Sequence, residues 1–312
     1  MSVLYIFVDG IGFGSNDEAA NPFARYSRSF FAPLGQKVAV DIPEGLVLFP
    51  VDAALGIAGL PQSATGQTAL WTGLNGPRIM GRHMTGFPGP TLIKVIQEHS
   101  IIKRFHENGK KAALANAFSE MYIQRIKERP RLTGASTHVH LASGQPLKTL
   151  DDLAQGNAVY MDITHEMMHR FFPDIKDRFP VRDPFEVGCD TARLAANYDL
   201  LIYEFFLSDK AGHNQSFEEA QWVIENLEKF LDGVCKTLRP GDTMLLTSDH
   251  GNLEDLSTKT HTNNAVPAMG FGRGVERMTD AISSIADFPA FIYELSGLEV
   301  KLPASSSSHP PQ

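Results

Sequence analysis

Three aspartates each follow an apolar segment of the sequence, and three histidines lie within twelve residues after two of these aspartates. They are Asp9, Asp209, His213, Asp249, His250 and His261. Carboxylate oxygens and imidazole nitrogens suit zinc or manganese, and this set is large enough for two sites of about three protein ligands each. Two metals ~4 Å apart can stabilise both the attacking and the leaving oxygen of a phosphoryl transfer. The pattern therefore predicts a two-metal phosphoryl-transfer centre.

A nucleophile for this chemistry is present in the segment from Pro61 to Trp71, which is typical of a loop that opens a helix. Unpaired backbone N–H groups at a helix start favour a bound phosphate. Ser63 would attack, because coordination to a metal removes the proton of its hydroxyl without a general base. Thr65 is the alternative nucleophile. The purely structural alternative is that Ser63 caps the helix.

The elements that position these residues are predicted from short apolar runs. The predicted strands are Val3–Val8, Leu200–Phe206 and Thr243–Thr247, and a helix is predicted over Ser216–Leu231. Strands that alternate with helices indicate an α/β fold with a largely parallel central sheet flanked by helices. Ligands of such sheets bind beyond the carboxyl ends of the strands, so the three acidic strand ends should converge.

The middle of the chain is flanked on both sides by segments with proline and glycine, and it lacks the repeated pattern of an apolar run followed by an acidic residue. We predict a catalytic core at 1–85 and 186–303, a small inserted α/β cap at 86–185 and a disordered tail at 304–312. Within the cap the predicted helices are Thr91–His106 and Ile163–Phe172, and the predicted strands are Lys111–Ala117 and His138–Leu141.

Five motifs occur in the order found in a known superfamily. They are Asp9-Gly10, Ser63-x-Thr-Gly, Asp209-x-x-x-His213, Asp249-His-Gly-Asn252 and His261-Thr-x-Asn-x-Val-Pro267. The chain resembles the alkaline phosphatase superfamily over residues 1–85 and about 190–300, most closely the branch of cofactor-independent phosphoglycerate mutase and phosphopentomutase. The resemblance implies an alkaline phosphatase-like core and a phosphomutase or phosphatase that uses two manganese or zinc ions.

The resemblance also implies which residues hold each metal. Asp9, Ser63, Asp249 and His250 would hold one, and Asp209, His213 and His261 the other, with Ser63 becoming phosphorylated. One departure is Gln67, which stands where mutases of that branch have histidine.

Residues that could bind the substrate are less clearly marked. Asp162 could hold a substrate hydroxyl, and several basic residues could clamp its phosphate. The basic residues are Arg78, Arg82, His83, Arg178 and Arg182.

Two other functions fit parts of the sequence. His165-Glu166-x-x-His169 satisfies a zinc metallopeptidase motif, although its extended form fails because Phe172 and Ile175 replace the required glycine and third histidine. The second alternative is a non-catalytic metal-binding protein of the same fold.

Composition sets the remaining expectations. The 312 residues, 43% of them hydrophobic, predict a globular chain, and the net charge of -8 argues against nucleic-acid or anionic-membrane partners. The expected partner is a small phosphorylated substrate, and the oligomeric state is left open. Cys189 and Cys235 are expected to be free thiols, and the lack of a leader or a membrane span predicts a cytoplasmic protein.

Overall fold

The computed structural model describes residues 1–299, so the predicted tail at 304–312 and the last residues of the predicted core lie outside the described part. Six strands form one sheet in the order β2-β6-β5-β1-β4-β3. They are β1 (Val3–Val8), β2 (Val47–Val51), β3 (Ala112–Leu114), β4 (Leu200–Phe205), β5 (Thr243–Thr247) and β6 (Val266–Gly272). Strands β5, β1, β4 and β3 are parallel neighbours, whereas β6 is antiparallel to both β5 and β2. The predicted α/β fold with a largely parallel sheet is confirmed.

Helices cover both faces of the sheet. They are α1 (Pro22–Tyr26), α2 (Ser63–Thr72), α3 (Gly76–Met80), α4 (Pro90–His99), α5 (Ile101–Glu107), α6 (Glu120–Glu128), α7 (Ala135–Leu141), α8 (Leu150–Ala154), α9 (Glu166–Phe171), α10 (Pro184–Ala195), α11 (Leu207–Asn214), α12 (Phe217–Thr237), α13 (Met278–Ala281) and α14 (Phe288–Leu295). The predicted helix after Ser216 is α12, and the Ser216 hydroxyl caps it by accepting the N–H of Glu219 at 3.2 Å. Among the described residues no helix has the length and apolar character that crossing a membrane requires.

Strand β1 shows why the sheet is buried on both sides. Its six residues, VLYIFV, are all buried, as expected of a central parallel strand. Leu4, Ile6 and Val8 belong to one apolar cluster, which includes residues of α10 and α12. The alternate residues, such as Tyr5, belong to the opposite cluster, which includes residues of α2, α5 and α14.

Part of the region predicted as a cap belongs to the core instead. Strand β3 is the edge strand of the sheet, and Ile96, Phe105 and Val139 lie in the same apolar cluster as Tyr5. The predicted boundary at residue 86 is therefore wrong, because the segment from α4 to β3 packs with the sheet. A separate small cluster contains Ala117, Ala158, Tyr160, Met168 and Phe179. The inserted cap itself, over the remaining part of 86–185, stays a prediction.

Two element predictions in this region also need correction. The segment His138–Leu141 is not a strand but the end of α7, where Ala142 N donates to His138 O at 2.9 Å. Its His-Val-His alternation resembles a half-buried strand, but all three side chains are buried in a helix. The predicted helix Thr91–His106 is two helices, because Ser100 leaves helical geometry and caps α5 with its hydroxyl.

Candidate metal centre and active-site cavity

The ends of β1, β4 and β5 lie side by side and bring three aspartates to one edge of the sheet. Asp9 N donates to Phe205 O at 2.9 Å, and the Ser208 hydroxyl donates to Asp9 O at 2.5 Å, so the loops after β1 and β4 are joined directly. Gly10 follows with φ +69°, and a Cβ there would lie 2.7 Å from Asp209 Oδ1. Only glycine permits this turn so close to the second aspartate.

Asp9, Asp249 and His250 form the first group of ligand atoms. One such atom from each residue lies within 4.8 Å of the other two, and all three residues are buried. His250 Nε2 is 3.4 Å from Asp9 Oδ1 and 3.4 Å from Asp249 Oδ2. The Oδ1 atoms of both aspartates are buried and have no hydrogen-bond partner within the described chain. Buried carboxylate oxygens without partners are expected where a cation binds.

Asp209, His250 and His261 form the second group within the same 4.8 Å limit, so His250 lies between the two groups. His261 donates from Nδ1 to Pro61 O at 3.0 Å, and its Nε2 is 3.7 Å from Asp209 Oδ1. Because a carbonyl oxygen only accepts, this bond leaves the lone pair of Nε2 free for a metal. Asn252 orients Asp209 by donating from Nδ2 to its Oδ1 at 2.6 Å.

His213 completes the predicted ligand set from a more exposed position. Its Nε2 is 3.3 Å from Asp209 Oδ2 and 3.3 Å from His261 Nε2. Its Nδ1 donates to Lys259 O at 3.0 Å, so its Nε2 is also free to bind a cation. The structure thus brings together all six residues that the sequence marks as metal ligands.

The electrostatics of the centre favour a divalent cation. Burial, reinforced by the neighbouring Asp249 and Asp209, raises the pKa of Asp9 well above its usual range. Burial also raises the pKa of Asp249 to about 7 and lowers that of His250 to about 3. Crowded carboxylates next to neutral imidazoles need positive charge to stay ionised, and a divalent metal supplies it. The donor set fits the predicted metals.

Helix α2 presents the predicted nucleophile, Ser63, to these ligand groups. Ser63 is its first residue, and its Oγ is 3.0 Å from His250 Nε2. The cap position is Gln62, so Ser63 is not the N-cap considered in the sequence analysis. Thr65 is fully buried, and its hydroxyl donates to Gln62 O while it accepts the N–H of Met84. Of the two hydroxyls, only that of Ser63 therefore faces the ligand groups.

Gln67 lies on the same face of α2, one turn after Ser63. Its Nε2 donates to Asp249 Oδ2 at 3.1 Å and lies 3.5 Å from Asp9 Oδ2. Gln67 therefore contacts two carboxylates of the first group. The sequence showed glutamine in place of histidine here but did not indicate what the glutamine does.

A cavity of about 830 Å³ opens onto Asp9, Ser63 and Gln67. The other polar or charged lining residues are Asn116, Ser119, Tyr122, Arg125, Ser136, Thr137, Tyr160 and Glu204, and the large apolar ones are Phe87, Phe118, Met121, Met161, Phe171, Phe172 and Phe206. Sequence reasoning missed most of these residues. Glu204 alone carried a signal, because it is a carboxylate within an otherwise apolar strand.

Glu204 is held firmly beside the cavity. The Ser136 hydroxyl donates to its Oε2, and Asn116 pairs with its backbone through bonds of 2.8 and 2.9 Å. Burial raises the pKa of Glu204 to about 7.

The residues predicted to bind substrate are not among those that line the cavity. Asp162 accepts the backbone N–H groups of His165 and Met167 at the start of α9. Two of the arginines are ion-paired elsewhere, Arg178 with Asp151 and Arg182 with Asp190. Arg78 and Arg82 are exposed near the end of α3, and His83 is hydrogen-bonded to Ile57 O at 3.1 Å.

The three side chains of the metallopeptidase motif make hydrogen bonds within the protein. His165 has φ +71° and precedes α9, so the two histidines do not share a helical face. His165 Nδ1 is bonded to Pro180 O at 3.0 Å, and His169 Nε2 to Phe179 O at 2.6 Å. Glu166 accepts the indole N–H of Trp222 at 2.9 Å. Neither histidine belongs to a group of potential metal ligands among residues 1–299.

Comparisons with known proteins agree with this geometry. Residues 186–299 match the family model of the Metalloenzyme superfamily. The 2,3-bisphosphoglycerate-independent phosphoglycerate mutase of Clostridium kluyveri is 35% identical over 111 residues, which are 33% of this chain and 21% of that protein. The aligned part thus spans about a fifth of that relative's length.

Solved structures extend the similarity to the whole fold. The PH0037 protein of Pyrococcus horikoshii aligns with a TM-score of 0.54 and 12% identity, covering 97% of this chain and 99% of that one. Alkaline phosphatase from the Antarctic bacterium TAB5 aligns with a TM-score of 0.51 and 12% identity, covering 96% and 98%. The chain thus shares the fold of these two proteins, an alkaline phosphatase-like α/β core.

Proposed function

We propose that this chain is a metal-dependent phosphoryl-transfer enzyme that acts on a small phosphate monoester through a phosphoserine at Ser63. The observation that carries the proposal is the position of the Ser63 hydroxyl. It lies at the cavity, at the start of α2 and 3.0 Å from His250 Nε2, beside the buried carboxylates of Asp9 and Asp249.

Two sets of residues would hold the metals. Asp9, Asp249 and His250 surround one position, and Asp209, His213 and His261 surround the other. Zinc or manganese ions bound there would lower the pKa of the serine hydroxyl and neutralise charge on the phosphoryl oxygens.

The chain's own residues account for the remaining steps. Ser63 Oγ would attack phosphorus, forming the new P–O bond while the bond to the alcohol breaks and the alcohol leaves with a proton from solvent. The amino end of α2 carries partial positive charge, which stabilises the anionic phosphoryl group next to Ser63. Gln67 would keep Asp249 oriented throughout.

The fate of the phosphoserine separates two enzyme types. Transfer to water makes a phosphatase, and return to the dephosphorylated substrate makes a phosphomutase. A panel of sugar phosphates, phosphoglycerates and simple alkyl phosphates should therefore be incubated with metal-loaded protein while free phosphate and isomerised product are measured separately.

The decisive variant is Ser63→Ala. It should bind both metals but lose turnover, whereas the wild type should show a mass increase of one phosphoryl group after rapid quenching. Ser257→Ala, an exposed loop serine, is the matched control and should retain activity. Full activity of Ser63→Ala would contradict the proposal. Metal binding without turnover of any phosphate ester would favour a non-catalytic metal-binding protein, and turnover of sulfate esters alone would indicate a different group transfer.

A further inference from the structure

The exposed aromatic side chains of this protein are concentrated at one place. Among residues 1–299, the exposed phenylalanines are Phe87, Phe171 and Phe206, at 50%, 56% and 38% exposure, and all three line the cavity next to Ser63. Met121, 69% exposed, lines it as well. Contiguous exposed apolar surface on a soluble domain commonly marks a binding site.

These side chains come from separate parts of the chain. Phe87 lies in the loop before α4, Met121 lies on α6, Phe171 ends α9 and Phe206 follows β4. The rings of Phe118 and Tyr122, which also line the cavity, stack at 5.1 Å between centroids. Because the exposed side chains come from four separate segments, this surface is not simply the apolar face of one amphipathic helix.

The cavity contains little positive charge of its own. Arg125 is the only lysine or arginine among its lining residues, whereas Asp9 and Glu204 contribute carboxylates. Enzymes that bind substrates with several anionic groups use arginine pairs as clamps. Away from Ser63 and the ligand groups, this cavity therefore offers aromatic surface far more than anion-binding groups.

We propose that the substrate is a phosphate monoester of an alcohol with an aromatic or extended apolar group. This inference rests on the proposed phosphoryl transfer, which places the phosphate at Ser63. The apolar group then lies against Phe87, Phe171 and Phe206, and the volume of about 830 Å³ is sufficient for a molecule of this kind.

Binding can be measured without turnover by calorimetry on metal-loaded Ser63→Ala. The probes are 2-phenylethylphosphonate, ethylphosphonate and 3-phosphonopropionate, which share the phosphonate and differ in the attached group. We expect 2-phenylethylphosphonate to bind at least about 10-fold more tightly than the other two, a discrimination that even one methylene provides in an apolar pocket.

The variants Phe171→Ala and Phe206→Ala should each weaken 2-phenylethylphosphonate binding while leaving ethylphosphonate unchanged. Val181→Ala is the matched control, because Val181 is an exposed apolar residue that does not line the cavity. In the wild type, kcat/KM should be higher for 2-phenylethyl phosphate than for ethyl phosphate, two primary alkyl esters.

The outcomes separate the inference from the proposed function. Equal affinity for the three phosphonates, with Ser63-dependent hydrolysis of ethyl phosphate intact, would overturn the substrate class alone. Absence of Ser63-dependent turnover of every monoester would overturn the proposed function and the inference together. If Phe171→Ala changes the sedimentation mass but not phosphonate affinity, the aromatic surface joins two copies of the chain, and the inference is also overturned.

Discussion

Replacing Gly66 by alanine should move Ser63, the proposed nucleophile, away from the predicted metal ligands. Gly66 lies in α2 between Ser63 and Gln67, and a Cβ there would be 2.9 Å from Asp249 O and 3.1 Å from Asp249 Cβ. Ordinary van der Waals contact begins at 3.4 Å, so the first of these contacts is 0.5 Å too short. Because the obstacle is backbone, α2 or the loop after β5 must move.

This substitution has two opposing effects on the free energy of unfolding. Alanine in place of glycine favours a helix by ~1 kcal/mol, whereas overpacking typically costs about 1–3 kcal/mol. The clash should win, with a net loss of roughly 0–2 kcal/mol from these two magnitudes. Activity should also fall, to roughly a tenth of the wild type. A ~1 Å displacement of reacting groups can cost ~100-fold in rate, and the displacement expected here is about half of that.

The assays are urea unfolding and steady-state hydrolysis of ethyl phosphate with metal-loaded protein. Gly89→Ala is the control, since an added Cβ there meets open space before α4, and neither property should change. A Gly66→Ala protein that is about 1 kcal/mol more stable and fully active would refute the reasoning, because it would show that α2 does not need this close approach to Asp249.

Four further experiments, three with substitutions and one with a thiol reagent, test other parts of the structure. Gln67→Leu removes the donor to Asp249 and should weaken metal binding about 10- to 100-fold in competition with a chromogenic chelator; unchanged affinity would show that Gln67 does not orient the ligand. Burial raises the pKa of Glu204 to about 7, so the folded protein keeps a proton that the unfolded chain releases at lower pH. Wild-type stability should therefore fall relative to Glu204→Gln as pH rises from about 5 to 7 and stay level above, and parallel urea-unfolding profiles would contradict this. Burial raises the pKa of Cys235 to about 12, so a thiol reagent at pH 8 should label it slowly in the folded protein and rapidly in urea. His169→Asn should retain the full metal content, and loss of bound metal would revive the metallopeptidase motif.

The positions of the acidic strand ends could be predicted from sequence because the signal is local. Each of Asp9, Asp209 and Asp249 lies shortly after an apolar run long enough only for a buried strand. Parallel strands end at the same edge of a sheet, so chain order and apolar pattern together imply the convergence. Ser63 was predicted from a separate local signal, a loop that opens a helix.

Prediction failed where the local pattern was compatible with two structures. His138–Leu141 alternates polar and apolar residues like a strand, yet it is helical because this turn packs its histidines and Val139 into the core. The glycines and prolines near residue 86 indicate a loop. A loop in the sequence does not reveal whether the strand that follows it belongs to the same sheet. Strand β3 does rejoin it, by pairing with β4 nearly ninety residues later in the chain.

By itself, the sequence determined the fold class, and it singled out the six side chains predicted to bind metal and the serine that faces them, since these follow from residue type and from order along the chain. Only the tertiary structure placed His250 between the two ligand groups and turned Gln67 towards Asp249. Only the tertiary structure, too, assembled Glu204, Arg125 and the aromatic wall around Ser63. These arrangements depend on contacts between segments far apart in the chain, and no local pattern encodes the distance between them.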